Sequence, residues 1–222
     1  MKQAIEFNHY HAKTMIIGAR KKQPFASYVF VHKGTALVRL GKHELPICAD
    51  QGFWLPMECL SAITVLKGSE VSTLNFSVRS IASLPTQAGF VESSSLIKGI
   101  VEQLVEYQKR NEEQWDSPHG RLLRCARDFL STSMPSDCNT DVFRHLLSSL
   151  DALNKGHALS DTQRDELKRA LGISDDDIAI QLRVREWVRL HKSGRTFAKI
   201  AADVGLLESE VSQLLEHIAG IS

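Results

Sequence analysis

The sequence predicts an α+β chain with three parts in order: an N-terminal antiparallel β-barrel or jelly roll, a helical dimerisation connector, and an all-α C-terminal domain ending in a helix-turn-helix. Three observations predict it. Through residue 80, apolar runs are short, rich in β-branched and aromatic residues, and separated by turn residues. From Ser93 the apolar period changes to i, i+3, i+4. Finally, FAKIAADVGLLESEVSQLLE, residues 197–216, reads as two short amphipathic segments joined at a glycine.

Composition narrows the function classes. The 222 residues suffice for one large or two small domains, and the expected division is 1–155 (barrel 1–80, helices 93–155) and 156–222. A hydrophobic content of 43% with 24% charged residues is that of a soluble globular protein. The formal net charge of +1 excludes a global basic field, so a nucleic-acid signal has to be local. Cys48, Cys59, Cys125 and Cys138 form no CxxC pair and fit buried thiols in a reducing cytoplasm better than disulfides or zinc. The opening MKQAIEFNHYH has no apolar core run and does not read as a signal peptide. No stretch approaches the roughly 18 apolar residues of a membrane span. A cytoplasmic protein that does not engage a membrane is expected.

Candidate strands are 4–7, 14–17, 27–31, 36–40, 53–55, 62–66 and 72–78. Turn residues at 32–34, 41–42, 50–52 and 67–69 separate them, and Pro24, Pro46 and Pro56 fall at strand edges or between strands. Many short strands at this spacing indicate a small barrel or jelly roll. Such a barrel has room for a small-molecule effector, and Tyr28, Phe30, Arg39 and Trp54 are the candidate ligand-binding residues. The same aromatics could equally fill the barrel as core. Arg39 alternates with Val38 and Leu40 and points inward only if they point outward.

The stretch FASYVFVHKGTALVRLGKHELPICADQGFWLPMEC, residues 25–59, resembles the cupin-like sensor domain of AraC-type regulators. A strand ending in glycine, a second strand, a hairpin, an Asp-x-Gly turn and an apolar strand running into Pro56 carry the likeness. Metal-binding cupins place histidines and a glutamate where Lys21, Gln23, Ser27 and roughly Ser61 stand here. None of these is a good ligand for a transition metal, so no metal, no cofactor and no catalytic residue is expected. His9 and His11 form an HxH too near the N-terminus to match and read as surface histidines.

The helices follow. Leu96, Ile97, Ile100, Val101, Leu104 and Val105 form a stripe that the serines at 93–95 can cap. A break at 113–120 precedes a helix carrying Leu122, Leu123, Ala126, Phe129 and Leu130, ended by Pro135. A third carries Val142, Phe143, Leu146, Leu147, Leu150 and Leu153, capped at Thr140 or Asp141 and stopped by Gly156. Three amphipathic helices exceed what a small barrel needs as cover. An exposed stripe of this kind commonly dimerises. In AraC-type proteins the helices after the barrel pair the subunits, and this stretch is similar. A homodimer through Leu96, Ile100, Leu104 and Val105 is therefore expected, with packing inside one chain as the alternative.

In the last third, Ser160 and Gln163 form a capping box, and a helix over 161–171 ends at Gly172. Ser174 caps the next helix, about 178–192, with Asp175, Asp176 and Asp177 at its positive start. Thr196 caps the first helix of the terminal pair, and Gly205 supplies the turn. This is the pattern of a DNA-binding helix-turn-helix; a plain αα-hairpin would read alike. The resemblance to AraC-type regulators extends through residues 183–222, which hold one helix-turn-helix where family members usually carry two, so a single-motif form is expected. Arg185, Arg189, Arg195, Thr196 and Lys199 are candidates for phosphates, or for a solvated basic face, and Ser209, Ser212 and Gln213 for base edges. Glu208, Glu210 and Glu216 oppose a phosphate field. The leading expectation is a ligand-responsive transcriptional regulator, not an enzyme. The alternative is a dimerising antagonist or partner of another regulator that does not itself bind DNA.

Overall fold

The computed structural model describes residues 3–138 and 140–221. Ten strands come first: β1 (Ile5–His11), β2 (Ile16–Ile17), β3 (Lys21–Lys22), β4 (Phe25–Lys33), β5 (Ala36–Leu40), β6 (His43–Ile47), β7 (Gly52–Leu55), β8 (Leu60–Val65), β9 (Glu70–Ser77) and β10 (Gly89–Val91). They form two antiparallel sheets, β1-β9-β4-β7-β10 and β2-β8-β5-β6, with β3 also paired to β8. No strand pairing joins the two sheets among the described residues, so this is a sandwich and not the closed barrel the strand spacing suggests. Pro46 lies in β6, the outermost strand of the second sheet, where its missing N–H breaks no ladder on the free side.

Strand alternation makes three apolar layers from two sheets. Odd positions of β4, Val29 and Val31, meet Val38, Ile47, Phe53, Val65 and Val71 between the sheets. Even positions, Ala26, Tyr28 and Phe30, point the other way, with Trp54, Leu74 and Phe76. That outer face is covered by α1 (Ser95–Arg110) and α2 (Pro118–Ser131). Each begins at a serine cap: Ser94 Oγ accepts from Ile97 N at 3.3 Å and Ser117 Oγ from His119 N at 3.2 Å.

The outer face of the second sheet, at Leu37 and Leu66, is covered by the remaining helices: α3 (Asp141–Asn154), α4 (Asp161–Leu171), α5 (Asp175–Lys192), α6 (Phe197–Val204) and α7 (Glu208–Leu214). The last runs on into a π-helical turn, Leu215–Ala219. Thr140 caps α3, and the expected Ser160–Gln163 capping box is present, with bonds of 3.0 and 3.3 Å. The three helices expected to form one connector thus divide: α1 and α2 go to one sheet, and α3 packs with α4 and α5 over the other.

Candidate helix pair, cleft and interlayer contacts

The terminal pair is built as its sequence suggests. Thr196 Oγ1 accepts from Lys199 N at 3.3 Å and starts α6. Gly205, at φ +70°, ends it with its N–H on Ala201 O. Leu207 N donates to Glu210 Oε2 at 2.8 Å, so the Glu210 carboxylate closes the start of its own helix. Ile200, Ala201, Val211, Leu215 and Ile218 are buried with Val184, Trp187 and Val188 of α5. Val204, at the helix end, is 40% exposed. Glu208, Ser209, Gln213 and Glu216 are exposed, and Ser212 half so.

The cations around the pair are mostly engaged. Arg195 pairs with Asp203, and Arg189 pairs with Glu186, holding that carboxyl below its ordinary value. Both pairs are solvent-exposed and screened by water, so a phosphate can replace either carboxylate at low cost. Lys199 is exposed and has no ion-pair partner among the described residues. Arg185 differs. Both its terminal nitrogens donate to Glu44 on β6, at 2.5 and 3.0 Å, with each side chain only 21% exposed. Arg185, expected among the phosphate contacts, is here a tie between α5 and the second sheet. Its partner lies 141 residues away, and no local pattern points to it.

Further ties run alongside it. Thr35 Oγ1 donates to Leu171 O at 3.0 Å, and Lys67 N to Gln181 Oε1 at 2.7 Å. Lys67 Nζ donates to His217 O at 3.0 Å, and Met15 N to Ile218 O at 2.6 Å.

The sandwich opens at one end into a cleft of about 410 Å³, the size of a small-molecule site. Its walls are apolar at Val29, Leu55, Val65 and Val71 and polar at Ser27, Thr73 and Asn75, with Ser27 Oγ donating to Asn75 Oδ1 at 2.6 Å. Lys21, Gln23, Ser27 and Ser61, the four positions aligned with cupin ligands, all line it. Among the described residues no three His, Cys, Asp or Glu side chains lie close enough to share a metal ion.

The expected ligand residues lie elsewhere. Tyr28, Phe30 and Trp54 are fully buried under α1 and α2, on the opposite face of the first sheet from the cleft. Trp54 Nε1 donates to Pro85 O at 2.9 Å. Burial alone raises the Tyr28 hydroxyl above its ordinary range, and its oxygen has no hydrogen-bond partner among the described residues. These three are corrected to core, because an even register on β4 faces the helices. Arg39 is exposed on the outer face of the second sheet. The dimerisation set is corrected too: Ile100, Leu104 and Val105 are 4%, 0% and 8% exposed in the chain's own core, and only Leu96, at 53%, is open. The outer face of the first sheet uses the stripe that periodicity left without a partner.

Two antiparallel sheets flanked by two sets of helices, ending in a helix pair with a glycine turn, define the class of fold. No protein-family model matches the chain, and no curated protein matches it. Among solved structures it is similar to ToxT from Vibrio cholerae O395, with 14% identity, 100% of this chain and 96% of that chain covered, and a TM-score of 0.40. The AraC-like transcriptional activator CuxR is similar at 13% identity over 88% of this chain and 83% of that one, with a TM-score of 0.35. The vicilin from Solanum melongena is similar at 10% identity over 55% and 34%, with a TM-score of 0.27. Likeness at this level assigns no family. No helix among the described residues is long and apolar enough to cross a membrane.

Proposed function

We propose that this chain is a transcriptional regulator of AraC-like build, in which the cleft between the sheets takes a small-molecule effector and the α6–α7 pair contacts DNA. The observation that carries the reading is the pair itself: a glycine turn at φ +70°, an α7 whose Ser209 and Gln213 stand exposed, and an α5 that packs behind α6 and behind the π-helical turn that follows α7. Lys199, with Arg189 and Arg195 released from exposed partners, would supply phosphate contacts. No enzymatic role is proposed.

A second reading is favoured by one observation. Glu208 on α7 and Glu216 on the π-helical turn after it are exposed, and Arg185 is held by Glu44, so the pair offers DNA little positive charge. That supports a protein that engages another regulator in place of DNA. A titration of the full chain against a pool of random duplexes, over a series of salt concentrations, separates the two. Enrichment of one motif, lost in Gln213→Ala, supports the regulator. Lys199→Ala should then lower the salt slope by about one unit for all sequences alike. A flat pool at low salt rejects DNA reading and leaves the partner function.

A further inference from the structure

The outer face of the second sheet and α5 enclose a groove of about 370 Å³ that is distinct from the cleft between the sheets. It is bounded by Arg20, Arg39, Glu44, Arg185, Glu186, Arg189 and Lys192 above an apolar floor that includes the half-buried Ile17 and Ala62. A second hollow of about 390 Å³ shares Arg39, Glu44 and Arg185 with it, so the Glu44–Arg185 bridge stands between the two.

The charges in the groove do not balance. Arg39 lies directly opposite Glu44 across the β5–β6 ladder, where an ion pair is the expected cross-strand contact. Both oxygens of Glu44 are instead taken by Arg185. Both oxygens of Glu186 are taken by Arg189. Two carboxylates are thus matched by two arginines. Arg20, Arg39 and Lys192 are left with no ion-pair partner among the described residues. Three like charges around one concavity repel one another and hold a field that a counter-charge would relieve.

We propose that this groove binds a small phosphate monoester on an apolar or aromatic body, with the phosphate held by Arg20, Arg39 and Lys192 and the body on Ile17 and Ala62. Charge selects the head group. A single carboxylate answers one of three cations, whereas a phosphate monoester carries about −1.5 to −2 near neutral pH and three acceptor oxygens. Guanidinium groups match phosphate oxygens two at a time. The floor selects the body, because bare inorganic phosphate would leave the half-buried apolar surface at Ile17 and Ala62 wet. The site stands on the groove alone and does not depend on whether the helix pair contacts DNA.

Calorimetric titration of the full chain with phenyl phosphate, inorganic phosphate and phenol tests it. One molecule of phenyl phosphate should bind per chain, at least about tenfold more tightly than either half alone. Arg39→Ala should weaken binding by about tenfold or more, and Arg39→Lys should restore part of the loss. Arg39 is exposed, so both variants should melt with the unmutated protein; if Arg39→Ala does not, Lys192→Ala provides the same comparison. Equal binding of inorganic phosphate would mark an adventitious ion only and overturn the proposal. So would equal binding of phenol, absence of binding, or affinity unchanged in Arg39→Ala and Lys192→Ala.

Discussion

Leu104→Ala should destabilise the fold and leave the association state untouched. Leu104 is 0% exposed among Ile100, Val101, Leu123, Ala126 and Leu130, between α1 and the first sheet. The substitution removes three carbons from water-free surroundings, about 2.5 kcal/mol at about 0.8 kcal/mol each. The unfilled space adds a further ~1 kcal/mol, giving a total of about 3–4 kcal/mol, inside the range found for buried leucines. For a chain of this length, 1 kcal/mol moves the melting temperature by about 2–4 °C, so a fall of roughly 6–16 °C is expected. Leu96→Ala, on the same helix but 53% exposed, should change stability by no more than about 0.5 kcal/mol. Thermal unfolding by circular dichroism, read beside sedimentation velocity on the same samples, makes the comparison. If Leu104→Ala melts with the unmutated protein and sediments as a smaller species, Leu104 belongs to a subunit contact and the packing argument fails.

Two further outcomes are expected. Gly205→Ala should cost about 1–2 kcal/mol through the backbone alone, since an added Cβ there meets nothing within 4 Å but φ is +70°. Gly99→Ala, equally open but inside α1, should instead gain about 0.5–1 kcal/mol, and chemical denaturation of both variants shows whether the signs differ. The second outcome concerns His32, whose imidazole is pushed down to about 4, first by burial and then by His9, against smaller opposing effects of Glu70 and Asp50; Lys98 adds to the fall. A depressed histidine contributes stability that is full above its unfolded value of 6.5 and is lost as pH falls toward about 4. Melting temperatures across that window should fall more steeply for the unmutated protein than for His32→Gln; equal slopes would remove His32 as the source.

Much of this architecture is legible in local pattern. The caps at Ser94, Thr140, Ser160, Ser174 and Thr196 and the stop at Gly205 are short-range chemistry, and the structure has each of them. Strands β3, β6 and β10 are not legible: Lys21–Lys22 is polar, His43–Ile47 contains a proline, and Gly89–Val91 has three residues. Alternation separates the two faces of β4 but does not say which face a helix covers. The positions of Tyr28, Phe30 and Trp54 therefore could not be read from it. Nor could the fate of the α1 stripe, which looks the same whether it meets a sheet or a second subunit. The Glu44–Arg185 pair and the groove beside it depend on contacts between segments that sequence spacing does not relate.

The ties between the second sheet and the last helices have a consequence for how the chain is made. Leu37 and Leu66 are buried by helices that begin only at Asp141, and Lys67 meets a residue 150 positions further on. The first sheet receives its cover from α1 and α2 soon after its own strands leave the ribosome. The second sheet cannot be covered until most of the chain has been synthesised, a wait of several seconds at about 5–20 residues per second. During that wait the outer face of the second sheet is a bare apolar surface on a nascent polypeptide, and it is there that a trigger for aggregation or a docking point for a chaperone would act.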